Sequence, residues 1–509
     1  MPEPKSNQTW CRALFLGILL TAPAGLWAQS PKDTGKSQAK DAGKSVDTSK
    51  QAPAGKSAAD ATQKAAPAAK ADDKKAPEAK LEAKEVELTE SFRDSRVDDA
   101  LSTDLIKELP APRPTFSQNE ERQVLTSAGG RGDANPRSIS RFVEAKAADL
   151  TNRKAIEAIL NGEANSNALV RPIEAATQAL INASKAANAA SNTPFMTTYS
   201  AALIKTMQPL LKAHLVTRVQ ALLALASTGS LDVNPLLIQV MSDDEQPWQM
   251  KLVAIRGVNN SIQAGRRPMA FNARTQLTVA LCNLIREETD APWFIKSEAA
   301  EVIGNIRIVS ESVSGRKVEP AELMMSLLVN SDERPKVRLA AARALGLMEI
   351  PSQFRPFNNH LVAASLAQAV ADTAKKVMAS TPTDSSRGQQ LIAILAERIP
   401  SAFNGEQGMT DSGLVRQAVV GQGSTEAKAA IDALFNAIKP VINAGSNYVK
   451  SRGDIVEGRR TDLQTTIAEL EKAIAKNQAK DRTLIKGGES FDAEEPAAEE
   501  KPKEVAQDK

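Results

Sequence analysis

The stretch 335–346, P-K-V-R-L-A-A-A-R-A-L-G, has three earlier blocks of the same shape upstream of it in a 509-residue chain. Val337, Ala341, Ala344 and, just past the stretch, Met348 share one helical face, widened by Ala340 and Leu345, while Arg338 and Arg343 fall outside that stripe. A single helix of this kind leaves its apolar stripe in water, whereas a series lying side by side does not. The earlier blocks begin at Val216 (V-T-R-V-Q-A-L-L-A-L-A), Gln249 (Q-M-K-L-V-A-I-R-G-V) and Phe294 (F-I-K-S-E-A-A-E-V-I-G). Aligned on their basic residues, Arg218, Lys251, Lys296 and Arg338, the four are spaced 33, 45 and 42 residues apart. Alanine follows three positions on, at Ala221, Ala254, Ala299 and Ala341, and an aliphatic residue four beyond, at Leu225, Val258, Ile303 and Leu345. A period in the thirties to forties with two helices per unit predicts an all-α chain, an α-solenoid of stacked antiparallel helix pairs.

The other helix of each unit is legible too. Pro235 opens P-L-L-I-Q-V-M and Pro320 opens P-A-E-L-M-M-S-L-L-V. Proline suits a first helical position because the N–H it lacks would go unpaired there. Ser-Asp-Asp at 242–244 and Asn-Ser-Asp at 330–332 supply turn and capping oxygens before the second helix. With an acid in that turn and a basic residue six positions on, the chain resembles the HEAT-repeat family over 195–350, extending with looser matches to 137–446. The resemblance implies that these side chains pair into a ladder along the stack: Glu245 with Lys251, Asp290 with Lys296, Asp332 with Arg338. The first unit departs from it, since Lys212 stands where an acid is expected before Arg218. Lysine in place of arginine also loses the flat bidentate fork. The fold hosts many unrelated functions, so the resemblance carries no activity with it.

Composition divides the remainder. Residues 29–84, rich in Lys and Ala, and the acidic residues 487–509 lack the apolar content that offsets chain entropy; a disordered linker and a disordered tail are expected there. Residues 1–28 read as a secretory signal peptide: Lys5 and Arg12, an apolar run over Ala13–Leu20, breakers at Pro23 and Gly25, and cleavage after Ala28. An uncleaved leader acting as a membrane anchor is the other reading, against which the short apolar run argues. Residues 85–136 are transitional and partly helical, with Val97, Leu101, Leu105 and Leu109 as one amphipathic stripe and Ser117 with Glu120 as a capping box. Helices follow from Ile139, through Phe142, Val143, Ala147 and Leu150, and Ala176 sits 45 residues before Ala221 in a degenerate first repeat or cap. Within a C-terminal helix in 447–486, Leu463, Ile467, Leu470 and Ile474 form a seam too short for a coiled coil, expected to dock on the solenoid end or on a partner.

Site chemistry is nearly absent from the sequence. The two histidines, His214 and His360, have no His or Cys at ligand spacing, and no P-loop, nucleophile-elbow or zincin motif occurs. No catalytic, cofactor-binding or metal residues are therefore expected. Cys11 lies in the leader and Cys282 in an apolar helical run, where a small buried core residue is the expectation. Net charge is +3, with lysines diluted by acids, which gives no basic face for nucleic acid. Trp248 and Trp293 both follow a proline at the start of a second helix. They are candidate partner contacts, although a repeated position favours packing between successive turns. The Arg-Gly-Asp triplets at 131–133 and 452–454 read as ordinary turns.

Together these features predict a non-enzymatic protein-binding scaffold, exported to the periplasm or cell envelope, with a protein as partner and no cofactor. The alternative is an envelope-anchored structural protein, attached through the Lys-rich arm 29–84 or the uncleaved leader.

Overall fold

Each of the four aligned blocks forms the body of a helix in the computed structural model, which describes residues 94–102, 105, 116–132, 135–160, 167–264, 269–286, 291–311, 317–379, 385–406, 412–420, 425–452 and 455–491. In chain order the helices are α1 (Ser95–Ala100), α2 (Gln118–Ala128), α3 (Pro136–Leu150), α4 (Arg153–Leu160), α5 (Asn167–Ala189) and α6 (Thr193–Met207). Then come α7 (Leu215–Ala226), α8 (Asn234–Ser242), α9 (Trp248–Gln263), α10 (Phe271–Arg286), α11 (Trp293–Ile306) and α12 (Glu319–Val329). The last six are α13 (Pro335–Leu347), α14 (Asn359–Ala379), α15 (Ser385–Asn404), α16 (Leu414–Val420), α17 (Thr425–Lys450) and α18 (Ile455–Lys476). Extended structure among the described residues is limited to isolated bridges, Ile308 with Glu349 and Thr483 with Ser490. The leader and the Lys-rich arm lie outside the described residues. Among those described, no helix is long and apolar enough to cross a membrane.

The aligned positions make the core. Ala221, Ala254, Ala299 and Ala341, with Leu225, Val258, Ile303 and Leu345, are all fully buried. Each buried aliphatic side chain contributes about 2 kcal/mol over its exposed state, and the alanines let neighbouring helices come close. Contacts follow two interleaved series. α7 packs on α9, α9 on α11, α11 on α13, α13 on α15 and α15 on α17, while α8 packs on α10, α10 on α12 and α12 on α14. Each of α8, α10, α12 and α14 also packs on the helix that follows it. In the first series the approach is closest where glycine faces alanine. A Cβ on Gly257 would lie 2.8 Å from the Ala226 Cβ, and one on Gly304 would lie 2.8 Å from the Ala344 Cα.

The ends are closed by local devices. The capping box is formed: the Glu120 N–H donates to Ser117 Oγ (3.3 Å) and the Ser117 N–H to Glu120 Oε2 (2.8 Å) at the start of α2. In α18, Leu463, Ile467 and Leu470 are buried, and the helix packs on α17 and α14. Two expectations shift. The stripe from Val97 to Leu109 yields only the short α1, which ends at Ala100, with Leu109 outside the described residues. The described chain also runs past 487, where the disordered tail was expected to begin: Phe491 is buried and its N–H donates to Arg482 O (2.8 Å), and the rest of that tail lies outside the described residues.

Candidate functional site

Arg338 was expected outside the apolar stripe of its block, yet it is buried, as are Arg218 and Lys251 at the same position of two other blocks. Arg338 is 4% exposed. Its Nε donates to Leu328 O (2.9 Å) at the end of α12, and its Nη1 pairs with Asp372 of α14 (2.9 Å). Arg218 donates in the same way to the carbonyls of Ala213 and Lys212, at the end of the 3₁₀ turn Gln208–Lys212 that precedes α7. Both guanidiniums satisfy carbonyls that a helix end leaves unpaired, where the helix dipole also favours a cation. Lys251 is fully buried, with its ammonium 5.2 Å from the Trp248 ring centroid. Lys296 pairs with Glu333 (2.6 Å), in the turn of the following unit.

Two of the acids named with them take part in their own turns through the backbone. The Asp332 N–H donates to Asn330 Oδ1 (2.9 Å) and the Glu245 N–H to Asp243 Oδ1 (3.0 Å), each closing its own turn. Asp290 lies outside the described residues. Among the described residues, the carboxylates that reach Arg338 and Lys296 are Asp372 and Glu333. Glu333 was within reach of sequence reasoning as the neighbour of Asp332. Asp372 was not, since it sits within a helix 34 residues beyond Arg338.

The two tryptophans occupy matching places. Both open a second helix behind a proline cap, and both are half-buried. Arg96 lies over Trp248 at 4.5 Å from the ring centroid, and the Trp248 N–H donates to Asp94 Oδ2 (2.8 Å). Asp94 also caps α1 by accepting from the Arg96 N–H (3.1 Å). The segment before α2 thus reaches the start of α9. Over Trp293 lie Arg334 (5.6 Å) and Lys336 (5.2 Å).

A third constellation, unforeseen from sequence, runs along the second helices. Arg256 of α9 pairs with Glu298 of α11 (3.3 Å). Glu301 of α11 pairs with Arg343 of α13 (2.8 Å) and Arg398 of α15 (2.5 Å), and Arg343 also meets Glu406. Asn305 joins them, donating to Asn259 (2.8 Å) and accepting from Arg343 (3.1 Å). Further back, Thr177 of α5 donates to Gln220 of α7 (2.8 Å), and the hydroxyls of Ser184 and Ser227 meet at 3.2 Å. Burial raises the Glu301 carboxyl above the ordinary range against the opposing pull of Arg398 and Arg343, and the group sits between those two cations with 19% of its side chain exposed. The signal in the sequence was the spacing: Arg256 to Glu298 and Glu301 to Arg343 are each 42 residues apart, close to the 45 and 42 that separate their blocks.

The cluster holds polar groups still and offers no reactive one. Glu301 is clamped between two cations. Cys282 is buried, with its thiol pushed up to about 12 by burial. His214 accepts from the Val216 N–H through Nδ1 (3.3 Å), which caps α7, and its Nε2–H donates to Leu101 O (3.3 Å). The Nε2–H of His360 donates to Asn477 O (2.8 Å). A cavity of about 40 Å³ beside Phe357, Asn359, His360 and Gln417 has room for a few waters and no more. Among the described residues, no group of three His, Cys, Asp or Glu is placed to hold a metal ion. The described residues thus form an all-helical protein whose helices pack on one another and carry this polar cluster between them. No protein-family model, curated protein or solved structure matches the chain.

Proposed function

We propose that the chain is a non-catalytic protein-binding scaffold, a HEAT-like α-solenoid of stacked antiparallel helix pairs exported to the periplasm or cell envelope. The observation that carries this reading is the double series of contacts, α7 to α17 by alternate helices on one side and α8 to α14 on the other. An array of this kind sets equivalent side chains of successive units along one surface, and recognition spread over them leaves no compact motif. The ridge from Arg256 to Glu406 supports the same reading. Its side chains are fixed by one another before any partner arrives, which lowers the ordering cost of binding. The leader-like residues 1–28 support export.

Photo-crosslinking in the native compartment tests it. A benzophenone amino acid at Glu298 or Asn259, on the ridge, is expected to trap a discrete protein, while one at exposed Gln276 of α10 is expected to trap none. Equal trapping at both places, or none at either ridge position, overturns the reading.

A further inference from the structure

Two helices of the array begin alike, and the beginnings are completed differently. α9 and α11 each start with tryptophan behind a proline of matching backbone conformation (φ −58°, ψ 152° at Pro247; φ −58°, ψ 145° at Pro292). Proline has no side-chain oxygen to accept from the first turn. At α9 the acceptor comes from 154 residues upstream, as Asp94 takes the Trp248 N–H. At α11 two cations cover the indole instead, and neither Arg334 nor Lys336 forms an ion pair among the described residues. The Trp293 Nε1–H is buried and has no acceptor. Nearby carboxylates are already engaged, Glu298 by Arg256, Glu301 by Arg343 and Arg398, and Glu333 by Lys296. A buried donor with no acceptor thus stands beside two cations that form no ion pair among the described residues, although Glu298 and Glu301 act on Lys336 from a distance.

We propose that Trp293, Arg334 and Lys336 form a docking site for a carboxylate side chain in an acidic segment of a protein partner. The carboxylate accepts from the indole N–H, relieves the repulsion between the two cations, and stands at a helix start, where negative charge is favoured. Burial, with Arg398 and Arg256 adding to it and Glu298 and Glu301 opposing, holds the Lys336 ammonium below the ordinary lysine range, and a bound carboxylate draws it back up. The site rests on the scaffold reading and gives the partner its chemistry.

The test is fluorescence anisotropy of the full chain with labelled hexaglutamate and, as the uncharged control, hexaglutamine. Hexaglutamate is expected to bind and hexaglutamine not to bind. The R334Q/K336Q double variant is expected to weaken hexaglutamate about tenfold, the scale of a lost charged contact. W293F keeps an aromatic ring, though a smaller one, and loses the N–H, with an expected weakening of about threefold; it decides the matter if the double variant fails to fold. R459Q/R460Q, on the exposed side of α18, is expected to change nothing. Equal affinity in the wild type and in whichever site variant folds overturns the proposal, as does absence of hexaglutamate binding up to about 1 mM at low salt. In either event crosslinking at Glu298 and Asn259 still decides the scaffold reading on its own.

Discussion

At the scale of residues, a few buried polar side chains fix the joints between helices. Arg338 closes the end of α12 and reaches Asp372 of α14, so one guanidinium ties three helices together. Arg338→Met keeps the apolar stem and strands both partners, and is expected to cost about 3 kcal/mol in urea unfolding; an unchanged midpoint contradicts that role. His214 works as a neutral cap. Burial holds its imidazole below the ordinary 6.5, so the unfolded chain takes up a proton more readily than the folded one. Its stabilisation is therefore complete above the unfolded value and is lost as pH falls through it toward the folded value. His214→Asn, which retains an acceptor for the first turn, is expected to flatten the fall in Tm between about pH 7 and about pH 5. An unaltered acid limb would mean that other groups set it. Cys282, a thiol held at about 12, should resist thiol reagents at neutral pH until the chain unfolds, and labelling of the native fold would refute its burial.

At the scale of elements, closeness between second helices depends on glycine against alanine. Gly304→Val places a branched side chain against the Ala344 backbone and is expected to destabilise by about 2 kcal/mol or more, read by thermal unfolding. The same substitution at Gly458, which has nothing within 4 Å, meets no neighbour and gains slightly in helix propensity, and serves as the control. Much of this scale was legible in the sequence, because a 3.6-residue stripe and a recurring alanine are local signals that burial imposes on every unit. What escaped was non-local. Nothing near Asp94 announces Trp248, 154 residues on, and nothing near Arg338 announces Asp372. The basic position misled for a physical reason, since a long cation looks like surface until a helix end supplies the carbonyls that let it be buried. Phe491 was lost in an acidic context, although its side chain is buried after α18.

At the scale of the whole array, the central claim is that successive units nest in sequence order, each second helix on the next, and so present a continuous surface. Such an array is expected to transmit damage mainly to nearest neighbours. The claim is tested most directly by disulfide trapping between second helices one unit apart. Ser184 of α5 and Ser227 at the end of α7 bring their hydroxyls to 3.2 Å, and cysteine places sulfur where each oxygen stands. In a C11S background, S184C/S227C is predicted to form its disulfide in nearly all of the folded chains under mild oxidation, with both native helicity and the Tm retained or raised. Folded chains in which both thiols stay free to label, under conditions that oxidise the same pair after unfolding, would contradict the stacked order.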